Sequence, residues 1–176
     1  MPEWIRKPIE VNEQAGYILD CLKKGILMST KSKDIMDTMT IGWGALGIDW
    51  SLPVFTAYVR DSRFTKTLLD QSGEFTVNIP LEGSDVRKII SFCGTKSGRD
   101  VNKFTELNLH AVPGETVNSP AVAELPLTLE CRVLYAQKQD PEKIPAGILS
   151  RHYPQQDYHT AYTAEITAAY ILEEQN

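Results

Sequence analysis

The sequence predicts a mainly β chain, an antiparallel barrel of Greek-key-like connectivity with short helices between some of its strands, and three observations carry that prediction. Runs rich in β-branched and aromatic residues recur along the chain, as in residues 53–59 (PVFTAYV) and 162–172 (YTAEITAAYIL). Turn residues (Gly, Pro, Asp, Asn) punctuate them. Helical periodicity is confined to short stretches, so the strands do not alternate with helices as βα units would.

Taken in order, Tyr17, Ile18, Leu19 and Leu22 recur on a helical period and place a helix over residues 16–24, ending near Gly25. Residues 26–30 (ILMST) read as a strand, followed by a polar turn at 31–34 that would pair it with residues 40–48. Residues 39–48 (MTIGWGALGI) are too densely apolar and small for an amphipathic helix; they read as one buried or half-buried strand whose glycines let a flat group approach the backbone. Residues 50–53 make the turn, since Pro53 cannot donate to a ladder and belongs at a strand start. After the strand 53–59, Ser62 is the expected N-cap of a helix over 65–71 that Gly73 stops. Residues 74–80 (EFTVNIP) alternate and end at proline, a further strand. Ser84 caps a helix over 85–92, with Val86, Ile89, Ile90 and Phe92 as its apolar positions, and Asp100 caps a short one through Phe104. A short strand at 108–112, a long one at 125–137, a brief helix at 144–149 and a last strand at 162–172 complete the chain.

Two stretches carry chemistry. A helix start presents unpaired N–H groups and a partial positive charge, and here Ser62, Thr65, Arg60 and Arg63 surround it with hydroxyls and guanidiniums suited to a phosphate. The plainer alternative is that Ser62 only caps and the arginines are solvated. The second stretch, 93–104 (CGTKSGRDVNKF), offers Thr95, Ser97, Lys96 and Arg99 on a loop made pliable by Gly94 and Gly98, and would close on the same anion from the other side. It lacks Walker spacing. Gly42, Gly44 and Gly47 spell G-x-G-x-x-G, but Trp50 and Pro53 follow at once, so no helix opens to receive a pyrophosphate and a dinucleotide fingerprint is rejected.

At 176 residues the chain reads as one domain, 1–176. A net charge of −5 and only local basic clusters argue against nucleic acid. Cys21, Cys93 and Cys131 are odd in number and widely spaced, which indicates neither a disulfide framework nor a metal site. No apolar leader opens the chain and no run reaches transmembrane length, so a cytoplasmic protein with no membrane partner is expected.

Together the run DTMTIGWGALGIDWSLPVFTAYVRDSRFT, the strand GEFTVNIP and the loop CGTKSGRDVNKF resemble, in order and spacing, the flavin reductase-like family, strongly from about Lys24 to Phe104 and weakly on to Ile171. The resemblance implies the FMN-binding split barrel, a homodimer with FMN in a cleft at the subunit interface, and either NAD(P)H-dependent flavin reduction or flavoredoxin-type electron transfer. It places Thr40, Trp43 and Gly44 along the isoalloxazine, with Thr38 and Met39 on the same cofactor-binding strand. Val59, Arg60, Ser62, Arg63 and Thr65 fall along the ribityl and phosphate, and Lys96, Ser97 and Arg99 complete the phosphate end. Relatives usually read Asn-Thr-Met-Thr where this chain has Asp37, Thr38, Met39 and Thr40. A carboxylate accepts but cannot donate; facing the ring it would lower the flavin potential, and facing solvent it would do nothing.

Trp43 reads as core or interface packing rather than a stacking partner, Cys93 as a buried small residue, and His110 as a strand surface residue. His159, among Tyr153, Tyr158 and Tyr162, is the candidate for a catalytic proton, with His152 second; hydride transfer asks mainly for positioning. Three functions follow: an NAD(P)H:FMN oxidoreductase using NADH or NADPH, an FMN electron carrier for a redox partner protein, or a flavin-storing module without turnover.

Overall fold

The longest strand, β10 (His159–Glu174), is the spine of the molecule, and the computed structural model describes residues 3–175 around it. Tyr162, Ala164 and Ile166 point into the core and alternate with half-buried Ala161, Thr163 and Glu165, the period of a strand packed on one face. One edge of β10 pairs with β9 (Leu127–Lys138). The other edge serves β5 (Leu52–Arg60) over its first half and β1 (Trp4–Pro8) over its second, all antiparallel. Beyond β9 the ladder continues through β6 (Glu74–Ile79), β2 (Ile26–Ser32) and β3 (Ile35–Ile41); beyond β5 it ends at β4 (Gly44–Asp49).

Strands β3 and β4 are consecutive in sequence yet stand at opposite ends of this order, joined by Gly42 and Trp43. The barrel therefore does not close: β3 comes close to β5 with no ladder between them. Residues expected as a single strand, 39–48, are split by this crossing. Gly44 permits it, because a Cβ there would meet Phe55 Cζ at 2.9 Å and the Thr56 carbonyl at 3.2 Å. The hairpin partner of β2 is accordingly β3, which runs from Ile26↔Ile41 to Ser32↔Ile35 across a tight turn, and not residues 40–48.

The barrel interior is filled by Ile18, Met28, Phe55, Phe75, Val77 and Leu129 among others. Phe55 and Phe75 meet edge-on, 6.4 Å between centroids, and each fully buried side chain of this size contributes about 1.5–3 kcal/mol. Helix α1 (Val11–Lys24) contributes Ile18 and Leu22 to that core. Helix α2 (Phe64–Ser72) packs on β2 and β3 and ends at Gly73, whose φ of 65° is the left-handed stop expected of it. Helices α3 (Arg87–Thr95) and α4 (Lys103–Glu106) cover the outer face of β2 and β3 with Cys93 and Phe104. A small pair, β7 (Ala111–Val112) and β8 (Ala121–Val122), a 3-10 turn (Pro141–Lys143) and helix α5 (Ala146–His152) complete the described elements.

Capping differs from expectation. Neither α2 nor α3 has a side-chain cap, and α4 is capped by Asn102, which accepts from the Thr105 N–H at 3.2 Å, not by Asp100. Ser62 loses the role because Asp157 draws its hydroxyl away, and Ser84 because α3 begins three residues later, at Arg87. Strands β1 and β8 were invisible to periodicity; five and two residues long, they form only against a partner already in place.

Candidate functional site

Where the barrel fails to close, a cavity of about 140 Å³ opens between the walls, lined by Thr40 and Ile41 from β3, Trp43 from the crossing, Tyr58 and Arg60 from β5, and His159 from β10. Thr40 faces it half-buried, its hydroxyl donating to the Ile90 carbonyl of α3 at 2.7 Å. On the other side of Trp43 a wider and more apolar groove of about 730 Å³ runs past Leu19 and Leu22 of α1 to Gly44, sharing Gly42, Trp43 and Tyr58 with the cleft.

In the other direction the cleft runs into the start of α2. There a second cavity, about 110 Å³, is lined by Ser62, Arg63, Thr65, Lys96, Ser97 and Lys103; Met39 and Arg63 line both cavities. The first N–H groups of α2 have no intrahelical partner and no side chain caps them. Arg63 donates to the Gly94 carbonyl at 3.3 Å, and Lys96 is exposed at the rim. The loop reaches this close only because residue 98 is glycine: a Cβ there would meet Asp37 Oδ1 and Phe64 Cδ1, both at 2.6 Å.

A family model described as a flavin reductase like domain matches residues 21–176. The chain belongs to that family. An uncharacterised protein of Archaeoglobus fulgidus is 32% identical over 98 residues, 56% of this chain and 54% of that protein, so the chain spans about half the length of this curated relative. Among solved structures it is similar to a flavoredoxin from Methanosarcina acetivorans (26% identity, TM-score 0.65, covering 84% of this chain and 67% of that one). It also shares its fold with an NADH:FAD oxidoreductase of Streptomyces globisporus (18% identity, TM-score 0.62, 85% and 78% covered). The open ladder is thus the split barrel of the flavin reductase-like family.

Within this flavin reductase-like domain, the residues singled out from sequence are distributed unequally. Of those placed along the cofactor, all but Thr38, Val59 and Arg99 line the cleft, the groove or the cavity at α2, and of the two candidate histidines only His159 does. Thr38 is fully buried on the opposite face of β3, its hydroxyl accepting from Ser29 at 2.9 Å, and Val59 is buried in the core. Arg99 lies over the Phe64 ring at 5.5 Å and donates to the Ser62 carbonyl at 3.0 Å, steering the helix start from outside. Two more residues carry duties the sequence did not reveal. Arg60 donates to the carbonyls of Asp157 (2.7 Å) and His152 (3.0 Å), so it secures the segment after α5. Thr65 donates its only hydroxyl proton to Asp37 at 2.6 Å.

Asp37 faces neither a ring nor solvent. It is 3% exposed and paired with Lys103, equally buried, whose Nζ lies 3.3 Å from Oδ1 and donates to the Thr38 carbonyl at 2.6 Å. Trp43 is likewise not core: it is 43% exposed, with His152 edge-on against it and His159 tilted against it, each at 5.1 Å. His159 itself is buried, and Tyr153 Oη stands 2.7 Å from its Nδ1 and donates to Gln139 Oε1 at 3.0 Å. Burial first, then the charge of Arg60, lowers the His159 imidazole to about 4, which leaves it neutral at physiological pH. The Cys93 thiol is pushed up to about 11 by burial, which leaves it a packing residue. His110 is exposed, its Nδ1 2.6 Å from Glu124 Oε1, and it lines none of these cavities.

Lys103, Gln139 and Asp157 were missed as contributors, and the departure at Asp37 was noted without its buried partner. Lys103 left a faint signal, a lysine between Val101 and Phe104 in a segment that must pack. The others join the site through contacts distant in sequence. Among the described residues no group of three or more His, Cys, Asp or Glu is placed to hold a metal, and no helix is long and apolar enough to cross a membrane.

Proposed function

We propose that this chain is an FMN-binding flavoprotein that reduces flavin at the expense of NADH or NADPH. The observation that carries the reading is the continuity of the cleft at the barrel split with a cavity at the start of α2 lined by Arg63, Lys96 and hydroxyls, in a domain of the flavin reductase-like family. The donor set suits the group: Arg63, Lys96, Ser97 and the uncapped helix N–H groups all donate to a terminal phosphate, and the narrow cleft past Thr40 and Trp43 suits a planar ring. Both cation-bearing elements converge on one anion, which favours FMN over FAD.

Bound FMN would supply the two-electron chemistry, taking hydride from a reduced nicotinamide. The protein's part is positional. Trp43 and Tyr58 form the boundary between cleft and apolar groove, and the groove is the route for a second aromatic reactant. Neutral His159 lines the cleft without adding a charge that would draw in water. We further propose that the chain acts as one domain and a homodimer, in the cytoplasm.

A second reading, an FMN electron carrier serving a redox protein, is supported by the similarity to a flavoredoxin and by His152, which abuts Trp43 and narrows the approach to it. The visible spectrum of the purified protein, followed by anaerobic titration with NADH and NADPH and steady-state oxidation with added FMN, separates them. Bleaching and turnover above background support the reductase; a flavin spectrum without nicotinamide turnover supports the carrier.

A further inference from the structure

The tightest contact at the anion cavity comes from the protein itself. Asp157, on the segment between α5 and β10, accepts from the Ser62 hydroxyl at 2.5 Å through Oδ2 and from the Ser62 N–H at 3.1 Å through Oδ1. Ser62 lines the cavity at the start of α2. Arg60 holds the Asp157 and His152 carbonyls, so the backbone delivers this carboxylate to Ser62 independently of the side-chain contact. We propose that Asp157 is an internal competitor for anions at the start of α2, and that it sets the affinity and selectivity of this site for phosphate-bearing ligands.

The physical reason is donor exclusivity. A hydroxyl has one proton, and with Asp157 in place it goes to a carboxylate. Thr65 is committed in the same way to Asp37. A phosphate entering the cavity must draw Ser62 from Asp157 or bind with the remaining donors, Arg63, Lys96 and Ser97, while a carboxylate stands nearby. Phosphate arrival and the tie of the 153–158 segment to α2 therefore oppose each other, and the segment stays anchored through Arg60.

The proposal rests on the flavin reading for its natural ligand but is testable apart from it. FMN and riboflavin affinities are measured by calorimetry for the full chain, Asp157→Asn and Asp157→Ala, with folding checked by thermal transition. Removing the charge should tighten FMN about 10-fold, the weight of one charge-assisted contact, and leave riboflavin essentially unchanged. In a Ser62→Ala background the gain should fall to about twofold or less, since the contested donor is gone. Equal FMN affinity with and without the Asp157 charge, or equal changes for both flavins, overturns the proposal while leaving flavin binding intact. If neither flavin binds the full chain, the flavin reading fails. Inorganic phosphate, followed by the Ser62 amide resonance, then decides: a half-point lowered by Asp157→Asn supports the competitor, and an unchanged one overturns it.

Discussion

Arg63 makes one long hydrogen bond, 3.3 Å to the Gly94 carbonyl, whereas Arg60 makes two shorter ones to the carbonyls of His152 and Asp157. The difference matters for which guanidinium is available to a ligand, and in the proposed site it moves the weight of anion binding onto Arg63 and Lys96. Replacing either by Ala should weaken FMN binding roughly 10- to 150-fold, the range of one charge-assisted bond of about 1.5–3 kcal/mol, with riboflavin affected much less. Calorimetry with both flavins checks it, and equal losses would mean a damaged pocket instead. His159 makes a separate prediction. In the unfolded chain an imidazole takes its proton near pH ~6.5, whereas burial and Arg60 hold it down to about 4 in the fold. Between these values the unfolded chain binds the extra proton. The stability that His159 contributes is thus complete above the higher value and is lost as pH falls toward the lower one. Urea midpoints across this interval should fall less steeply for His159→Gln than for the parent.

At the scale of elements, the start of α2 is held by parts far apart in sequence. Asp37 of β3 receives the Thr65 hydroxyl of α2 and the ammonium of Lys103 at the head of α4, so one buried carboxylate ties three elements together. Removing one member of such a pair leaves an uncompensated charge out of water. Lys103→Met or Asp37→Ala alone should each cost about 3–5 kcal/mol, while the double variant should cost clearly less than their sum, measured by chemical denaturation. The Gly98 loop closes over this carboxylate, which is why an interaction buried behind the cavity governs the shape of its mouth.

For the whole molecule, the apolar residues of β9 and β10 divide between core and surface: Leu127, Leu129, Tyr162, Ala164 and Ile166 serve the interior. The apolar surface left outside includes Leu134 (44% exposed) and Tyr135 (51%) toward the end of β9, Trp43 and Leu19 beside one groove, and Ile48 (69%) and Trp50 (58%) on the β4–β5 hairpin. Scattered apolar residues are ordinary, but two tryptophans and an isoleucine on one hairpin and its approach favour a covered face. We propose that the homodimer uses this side of the molecule. Sedimentation at micromolar concentration should show a dimer that Trp50→Asp or Ile48→Asp shifts toward monomer; an unchanged distribution would place the contact elsewhere.

Residues 53–59, 74–80 and 125–137 declared themselves as strands because alternation and β-branching are local properties, and Gly73 declared a helix end because a left-handed residue there needs no distant partner. The stretches at 60–65 and 93–104 could be paired from sequence because hydroxyls, cations and glycines are written in residue type, and residues of both line one cavity. What remained for the tertiary structure to decide was where each polar group sends its protons and charge. Ser62 looked like a cap and is held by Asp157, and Thr65 looked like a phosphate ligand and donates to Asp37. Asp37 looked like a choice between ring and solvent and is buried against Lys103. Hydrogen-bond partners 28 to 95 positions away are set by how the sheet closes, and this sheet leaves its gap between two strands adjacent in sequence, which no local pattern encodes.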